Sequence, residues 1–239
     1  MEELDILAFG SHPDDVELGC GGTLALHASK GYKTGIVDLT QGELGTRGTI
    51  EIRTKESESA AGILQASVRL NTKFEDGFFL NDKKHQLEII KVIRQYRPKI
   101  VFANAHSDRH PDHGRGSQLV ADSCFLAGLE KIHTEFDGEE QKAWRPKSVY
   151  HYIQYRNQKP DIVVDISDFY EVKMDAVKAH RSQFYDATST ESETLISKPE
   201  FLEYIKGNAL DMGKQIGVRY AEGFTVDRYI GTNDLLTLL

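Results

Sequence analysis

Two short turns carry most of the side chains that could do chemistry. The first, SHPDD at 11–15, offers His12, Asp14 and Asp15; the second, HSDRHPDH at 106–113, offers His110, Asp112 and His113. His12 and Asp15 stand three apart across a proline-containing turn, and His110 and His113 repeat that spacing. Pooled, the turns supply two or three imidazoles and a carboxylate. Two histidines and one acid, with a position left for water, form a common catalytic zinc set. His12, Asp15 and His113 are therefore assigned to one zinc ion per chain, and other divalent transition metals suit the same donors. Asp14 is then free to take a proton from the activated water. His110 can protonate a leaving group or, when cationic, stabilise an oxyanion. Asp112 can orient a histidine from behind.

The plainer alternative is that Asp14 or Asp15 caps a helix. A second turn of the same composition after another strand argues against it, because ligands of open parallel sheets bind at the carboxyl ends of strands. The glycines that follow, Gly19, Gly21 and Gly22, resemble a dinucleotide fingerprint. That fingerprint needs glycine where Leu24 stands, and Asp14 and Asp15 would repel a pyrophosphate. Close packing of a helix is the role expected of these glycines. His27, His85, His133, His151 and His180 have no comparable company and read as surface or core residues.

The turns need elements to hold them. LDILAF at 4–9 is a short apolar run, and the pattern predicts a helix over 16–30 that Gly31 can end. A buried strand follows at 33–40, then a helix over 49–66. Leu87, Ile90 and Ile93 share one helical face, and that helix must stop near Arg97 because Pro98 follows; KIVFANA at 99–105 is the next strand. This alternation indicates βαβ units: an α/β fold with a Rossmann-like, mostly parallel sheet flanked by helices in three layers. Strands at 148–155 and 161–167 lie too close together for a helical crossover, and helices are expected at 168–183 and 199–214. The polar stretch 133–146 reads as a surface insertion. One domain over 1–239 is expected, with 1–132 as the Rossmann-like half and 133–239 completing the site.

With 37 acidic and 29 basic residues the net charge is -8, which argues against nucleic acid or an anionic membrane as partner. Two cysteines in separate segments suggest neither a disulfide framework nor a cysteine-bound zinc. No apolar run is long enough to span a bilayer, and a cytoplasmic location is expected.

SHPDDVELGCGGTLA, DLTQGELGTRGT, DRHPDH and YAEGFTVDRY together resemble the LmbE-like, or PIG-L-like, family of zinc-dependent N-acetylglucosaminide deacetylases. The similarity runs through nearly the whole chain. Within the family it points to the bacillithiol branch, which removes acetate from N-acetylglucosaminyl malate; there, as here, Val16 separates the paired aspartates from the acid at Glu17. The resemblance places zinc on His12, Asp15 and His113, the base on Asp14 and the assisting histidine on His110. It also implies a small sugar-conjugate substrate and a homo-oligomer as large as a hexamer. Some relatives use a tyrosine from the C-terminal half at the oxyanion, for which Tyr185, Tyr204 and Tyr220 are candidates. A malate group brings two carboxylates, and Arg47, Arg53 and Arg109 are the candidate cations for them. The alternatives are a helical ion pair with Glu56 for Arg53 and a solvated loop charge for Arg109. Gly42, Gly45 and Gly48 make the loop 41–49 a candidate flap. Rival readings are a deacetylase of an inositol-linked sugar or a chitin fragment, a metallophosphoesterase, and a metal-binding module that has kept the fold without the reaction.

Overall fold

The computed structural model describes residues 3–238. Its centre is a parallel block. Strands β1 (Ile6–Gly10) and β2 (Thr34–Thr40) are buried along their whole length, as strands covered on both faces must be. β3 (Val68–Phe74) and β4 (Ile100–Ala103) complete this block in the order β3-β2-β1-β4. β7 (Ser148–Tyr152) continues it in parallel with β4, after a two-residue hairpin of β5 (Glu135–Phe136) and β6 (Glu139–Glu140). The chain then returns as β9 (Ala221–Val226), which runs antiparallel between β7 and β8 (Ile162–Asp165). This insertion explains why β7 and β8 are so close in sequence: they never pair. A mostly parallel sheet is the one expected; its seven strands include β3 and β9, which, like the helix after the second turn, are not among the elements expected from the sequence.

Alternate residues of β1 feed two cores. Leu7 and Phe9 meet α3 (Lys83–Tyr96) and α4 (Pro111–Ala127) through Ile90, Ile93, Leu119 and Val120. Ile6 and Ala8 meet α1 (Asp15–Ser29), α2 (Ile50–Ile63) and α5 (Tyr170–Ala179) through Val16, Leu24, Leu64 and Ala176. Helix α6 (Pro199–Ile216) packs outside α1 and α5 with Phe201 and Ile205. The helix bounds follow from local chemistry. Thr49 and Asp82 accept from the amides of Ile52 and His85 at the starts of α2 and α3. Arg97, in the left-handed region just before Pro98, ends α3. The helix expected at 168–183 is shorter, because a 3-10 turn at Ser167–Phe169 precedes α5 and His180 leaves helical geometry. The 133–146 stretch folds over an Asp137-Gly138 turn with positive φ at both residues, as a tight hairpin requires. No helix among the described residues is long and apolar enough to cross a membrane.

Helix α1 is the element that carries the first turn, and it is not continuous. Cys20 has non-helical angles, φ -145° and ψ 17°, so the helix is two pieces joined at a kink. The amides freed there, of Gly22 and Thr23, donate to the two oxygens of Glu222 on β9 at 3.0 and 2.7 Å. Lys173 of α5 donates to the freed carbonyl of Leu18 at 2.8 Å and to Glu222 at 2.6 Å. A buried ion pair thus replaces the missing turn of helix, and its partners come from 155 to 200 residues away. The glycines let the sheet approach: a Cβ on Gly19 would lie 2.1 Å from the Tyr152 ring, and one on Gly22 would lie 2.7 Å from Ile166. Gly19→Ala is therefore expected to destabilise the fold by about 1–3 kcal/mol through overpacking. Gly21→Ala, whose Cβ would meet nothing nearer than 3.7 Å, should match the wild type in the same denaturant titration. Equal midpoints for the two variants would refute the packing role.

Candidate active site

β1 and β4 are parallel neighbours, so the turns that follow them meet at one crevice beside the point where the strand order reverses. Asn104, just after β4, ties them together. Its side-chain oxygen accepts from the amide of Ser11 at 2.9 Å, and its amide group donates to Asp15 Oδ2 at 3.1 Å. Ser11 in turn donates to the Asp112 carbonyl at 2.9 Å, which fixes the start of α4 against the end of β1. His110 caps α4: its Nδ1 accepts from the amide of Asp112 at 3.3 Å. Neither Asp14 nor Asp15 caps α1 with its side chain, so the capping alternative does not describe this turn. Asp15 Oδ2 instead accepts from the amide of His12 at 3.0 Å, and Oδ1 accepts from Gln154 at 2.8 Å.

The crevice brings His12, Asp14, Asp15, His110 and His113 to the wall of one cavity of about 280 Å³. The rings of His12 and His110 are 4.6 Å apart, and those of His12 and His113 are 5.7 Å apart. Each of the two imidazoles assigned to the metal is held by a carboxylate on one nitrogen and faces Asp15 with the other. His12 Nε2 lies 3.1 Å from Asp76 and 3.4 Å from Asp112, leaving Nδ1 at 3.5 Å from Asp15 Oδ2. His113 Nδ1 lies 2.8 Å from Asp108, leaving Nε2 at 3.1 Å from Asp15 Oδ1. Carboxylate-bound histidines of this kind orient a free nitrogen toward a metal. Two imidazole lone pairs and a carboxylate aimed at one another repel unless a cation sits among them or the rings are doubly protonated. The donor set therefore fits a divalent metal. Two other combinations, His12 with His110 and His113, and His12 with Asp76 and Asp112, bring ligand atoms mutually within 4.8 Å of one another.

The protonation equilibria follow from this crowding. Burial works against a charged His12, but contacts with Asp112, Asp15 and Asp76 outweigh it and hold its pKa well above the ordinary value. His113 is likewise raised to about 9: Asp15 and Asp108 overcome the cost of burial. The adjacent aspartates are driven apart. Burial pushes Asp14 up to about 6 despite Arg53 beside it, whereas for Asp15 the neighbouring His113 and His12 outweigh burial and hold it well below the usual carboxylate range. Adjacent acids with opposed pKa shifts can take different jobs. Burial, and then the charges of His12 and His113, lower His110. Because its Nδ1 accepts from the Asp112 amide, neutral His110 carries its proton on Nε2, a hydrogen-bond donor that needs no positive charge.

The remaining expected residues separate. Arg53 is turned inward and 5% exposed; it donates to the carbonyls of Gly42 at 2.8 Å and Pro13 at 3.0 Å and lies 3.7 Å from Asp14. It makes no pair with Glu56, which binds Ser182 instead. Arg109 is exposed, lies over the Tyr155 ring at 5.5 Å and lines the cavity. Arg47 does not line it. That guanidinium is buried against Ser189 at 2.6 Å and Glu191 at 3.5 Å. The loop 41–49 is anchored: Leu44 donates to Asp76 at 3.0 Å and Gly48 to Glu191 at 3.0 Å. Gly42 is required there, since with φ 66° a Cβ would lie 1.8 Å from Arg53. Among the tyrosines, Tyr185 and Tyr204 are exposed and Tyr220 is buried on Tyr170. Tyr155 is the one that lines the cavity. Glu17 points away, into a buried cluster with Arg69, Asp38 and His180, and Arg69 and His180 hold its pKa at about 2 against burial. Asp76 and Asp108 were not foreseen; the five-residue step from Asp108 to His113 was the available signal.

Known proteins share this arrangement of fold and sequence. The family described as GlcNAc-PI de-N-acetylase (PIG-L) matches residues 7–124. A diacetylchitobiose deacetylase of Thermococcus kodakarensis is 32% identical over 228 residues, spanning 91% of this chain and 81% of its own. A probable N-acetyl-alpha-D-glucosaminyl L-malate deacetylase 2 of Bacillus subtilis is 25% identical over 201 residues, spanning 74% and 82%. A conserved protein of Thermus thermophilus superposes with a TM-score of 0.86 at 37% identity, covering 97% of this chain and 98% of that one. The chain belongs to the PIG-L, or LmbE-like, family of deacetylases.

Proposed function

We propose that this deacetylase uses zinc to remove the N-acetyl group from an N-acetylglucosaminide, with N-acetylglucosaminyl malate as the substrate. The observation that carries the hydrolytic reading is the pair of adjacent, buried aspartates with opposed pKa shifts beside two carboxylate-bound imidazoles. In this reading His12, Asp15 and His113 hold the ion. A bound zinc ion supplies a Lewis acid and brings the pKa of water from about 16 toward about 7. Asp14, with a pKa of about 6, is matched to accept a proton from the attacking water near neutral pH. As water oxygen bonds to the acetyl carbon, the Nε2–H of His110 can donate to the developing oxyanion. The C–N bond then breaks, acetate leaves, and the proton taken by Asp14 passes to the sugar amine.

Substrate choice rests on the cavity wall. Arg53 spends its guanidinium on two carbonyls and Asp14, so Arg109 at the mouth is the cation available to a malate carboxylate. Tyr155, with Arg109 over its ring, lines the same wall. The similarity to a diacetylchitobiose deacetylase favours a second reading, an uncharged chitin fragment, which needs no cation at the mouth.

Incubation of zinc-loaded protein with N-acetylglucosaminyl malate, its inositol counterpart and diacetylchitobiose separates these readings by the acetate and free amine each releases. The malate conjugate should turn over fastest, and Arg109→Ala should raise KM for it alone. Absence of acetate from all three, with zinc bound, would sink the hydrolytic reading. Asp14→Asn should lose about 10²–10⁴ in kcat while keeping its metal, whereas His113→Ala should lose the metal itself. Loss of zinc from the Asp14 variant would make that residue a ligand.

A stability test addresses Asp14 in the metal-free protein. Its pKa is raised from 3.8 to about 6, so the folded state binds the proton more tightly than the unfolded chain. The cost of the ionised, buried carboxylate grows as pH rises through that window and stays in full above it. Metal-free Asp14→Asn is therefore expected to be more stable than the wild type near pH 7, with the advantage vanishing near pH 4. Urea titrations at the two pH values measure it, and a wild type that is the more stable at neutral pH would contradict the shift.

A further inference from the structure

Next to the backbone of Asn104, three elements bring together a second set of metal-ligating atoms. His106 comes from the loop after β4, His151 from β7, and Asp227 from the residue that follows β9. Their ligand atoms lie within 4.8 Å of one another. The two imidazoles lie face to face but tilted by 34°, with ring centroids 3.8 Å apart. His106 Nε2 lies 3.0 Å from Asp227 Oδ1, and His151 Nε2 lies 3.4 Å from Asp227 Oδ2.

The nitrogens on the far sides of both rings are already held. His151 Nδ1 lies 3.1 Å from the carbonyl of Asn104, which can only accept, so this nitrogen carries the proton. Nε2 of the neutral ring is then a bare lone pair facing a carboxylate oxygen. Ser117 of α4 sits between the rings, 2.8 Å from His151 Nδ1 and 3.2 Å from His106 Nδ1. Its oxygen has two lone pairs and can accept from both rings, which leaves Nε2 of a neutral His106 as bare as that of His151. His151 is wholly buried, and burial followed by the charge of His106 lowers its pKa, keeping it in the neutral form that a ligand needs. This repeats the logic of His113, one nitrogen anchored and the other aimed at an aspartate.

We infer that His106, His151 and Asp227 form a second binding site for a divalent transition metal such as Zn²⁺, separate from the catalytic set. Two imidazoles and a carboxylate with open positions toward solvent suit zinc and its neighbours better than magnesium or calcium, which prefer oxygen donors. The ion replaces the repulsion between His151 Nε2 and Asp227 with two bonds. It also pins the start of the segment after β9, where Arg228 donates to the Lys147 carbonyl at 3.0 Å and residues 227–231 wall a cavity of about 340 Å³. The complement per chain rises from the single ion expected of the catalytic turn to two.

The test strips the full-length protein with a chelator, equilibrates it against buffered free Zn²⁺ in the micromolar range and measures zinc per chain by mass spectrometry of the metal. Wild type should take up a second equivalent that both His106→Ala and Asp227→Asn lose. These positions are partly exposed, and far-ultraviolet circular dichroism establishes that the variants are folded. Both variants should retain the first equivalent and acetate release. A wild type that saturates at one ion, or variants that still bind two, would show that the cluster is a hydrogen-bonded triad only and overturn the proposal.

Discussion

Carboxylates withdrawn from water must find positive charge or give up their own. Around the catalytic crevice Asp14, Asp15, Asp76, Asp108 and Asp112 are all less than 9% exposed, and imidazoles are the groups set among them. Arg53 reaches Asp14 at 3.7 Å and Arg115 pairs with Asp112 at 2.7 Å, which leaves Asp15, Asp76 and Asp108 to the imidazoles. Such a cluster is unfavourable unless the histidines are protonated or a cation is bound. The geometry fits the second solution, because the rings of His12 and His113 are each anchored on the outer nitrogen and present the inner one to Asp15. The metal site we propose, the split between the two adjacent aspartates and the general-base role proposed for Asp14 all descend from that one electrostatic demand.

The rest of the fold holds the demand in place. Asn104 links the ends of β1 and β4, so neither turn can shift without the other. Helix α1 starts at Asp15. Its kink at Cys20, closed by Glu222 and Lys173, lets Gly19 and Gly22 seat against Tyr152 and Ile166. Tyr152 reaches on to the carbonyl of Phe9 at 2.9 Å, one residue before the end of β1. The C-terminal strand β9 thus supports the N-terminal catalytic turn, and that coupling spans almost the whole chain.

Much of this was legible beforehand because it is local. Apolar runs interrupted by amphipathic helices disclose a parallel sheet, and two histidine-aspartate turns after strands disclose a shared crevice. The glycines were rightly separated from a phosphate cradle by their register and by the acids next to them. What escaped is long-range. β3 carries Arg69 and Lys73 and looks polar, yet Arg69 turns inward to neutralise Asp38 and Glu17. Asp76 has no motif around it, and its role depends on a loop meeting His12 from 64 residues away. Arg47 could have faced the cavity or the segment 184–191; only the packing decides. Residues 106, 151 and 227 have no sequence proximity at all, which is why His151 read as an ordinary core histidine.

In the proposed site Asp15, not Asp14, shares the metal with His12 and His113. X-ray diffraction from zinc-loaded crystals, with data collected on both sides of the zinc absorption edge, locates the ion in the catalytic cavity directly. The account predicts an anomalous peak bonded to His12, Asp15 and His113, with Asp14 outside its coordination sphere. A peak held by His12, Asp76 and Asp112, or one that includes Asp14 among its ligands, would contradict it.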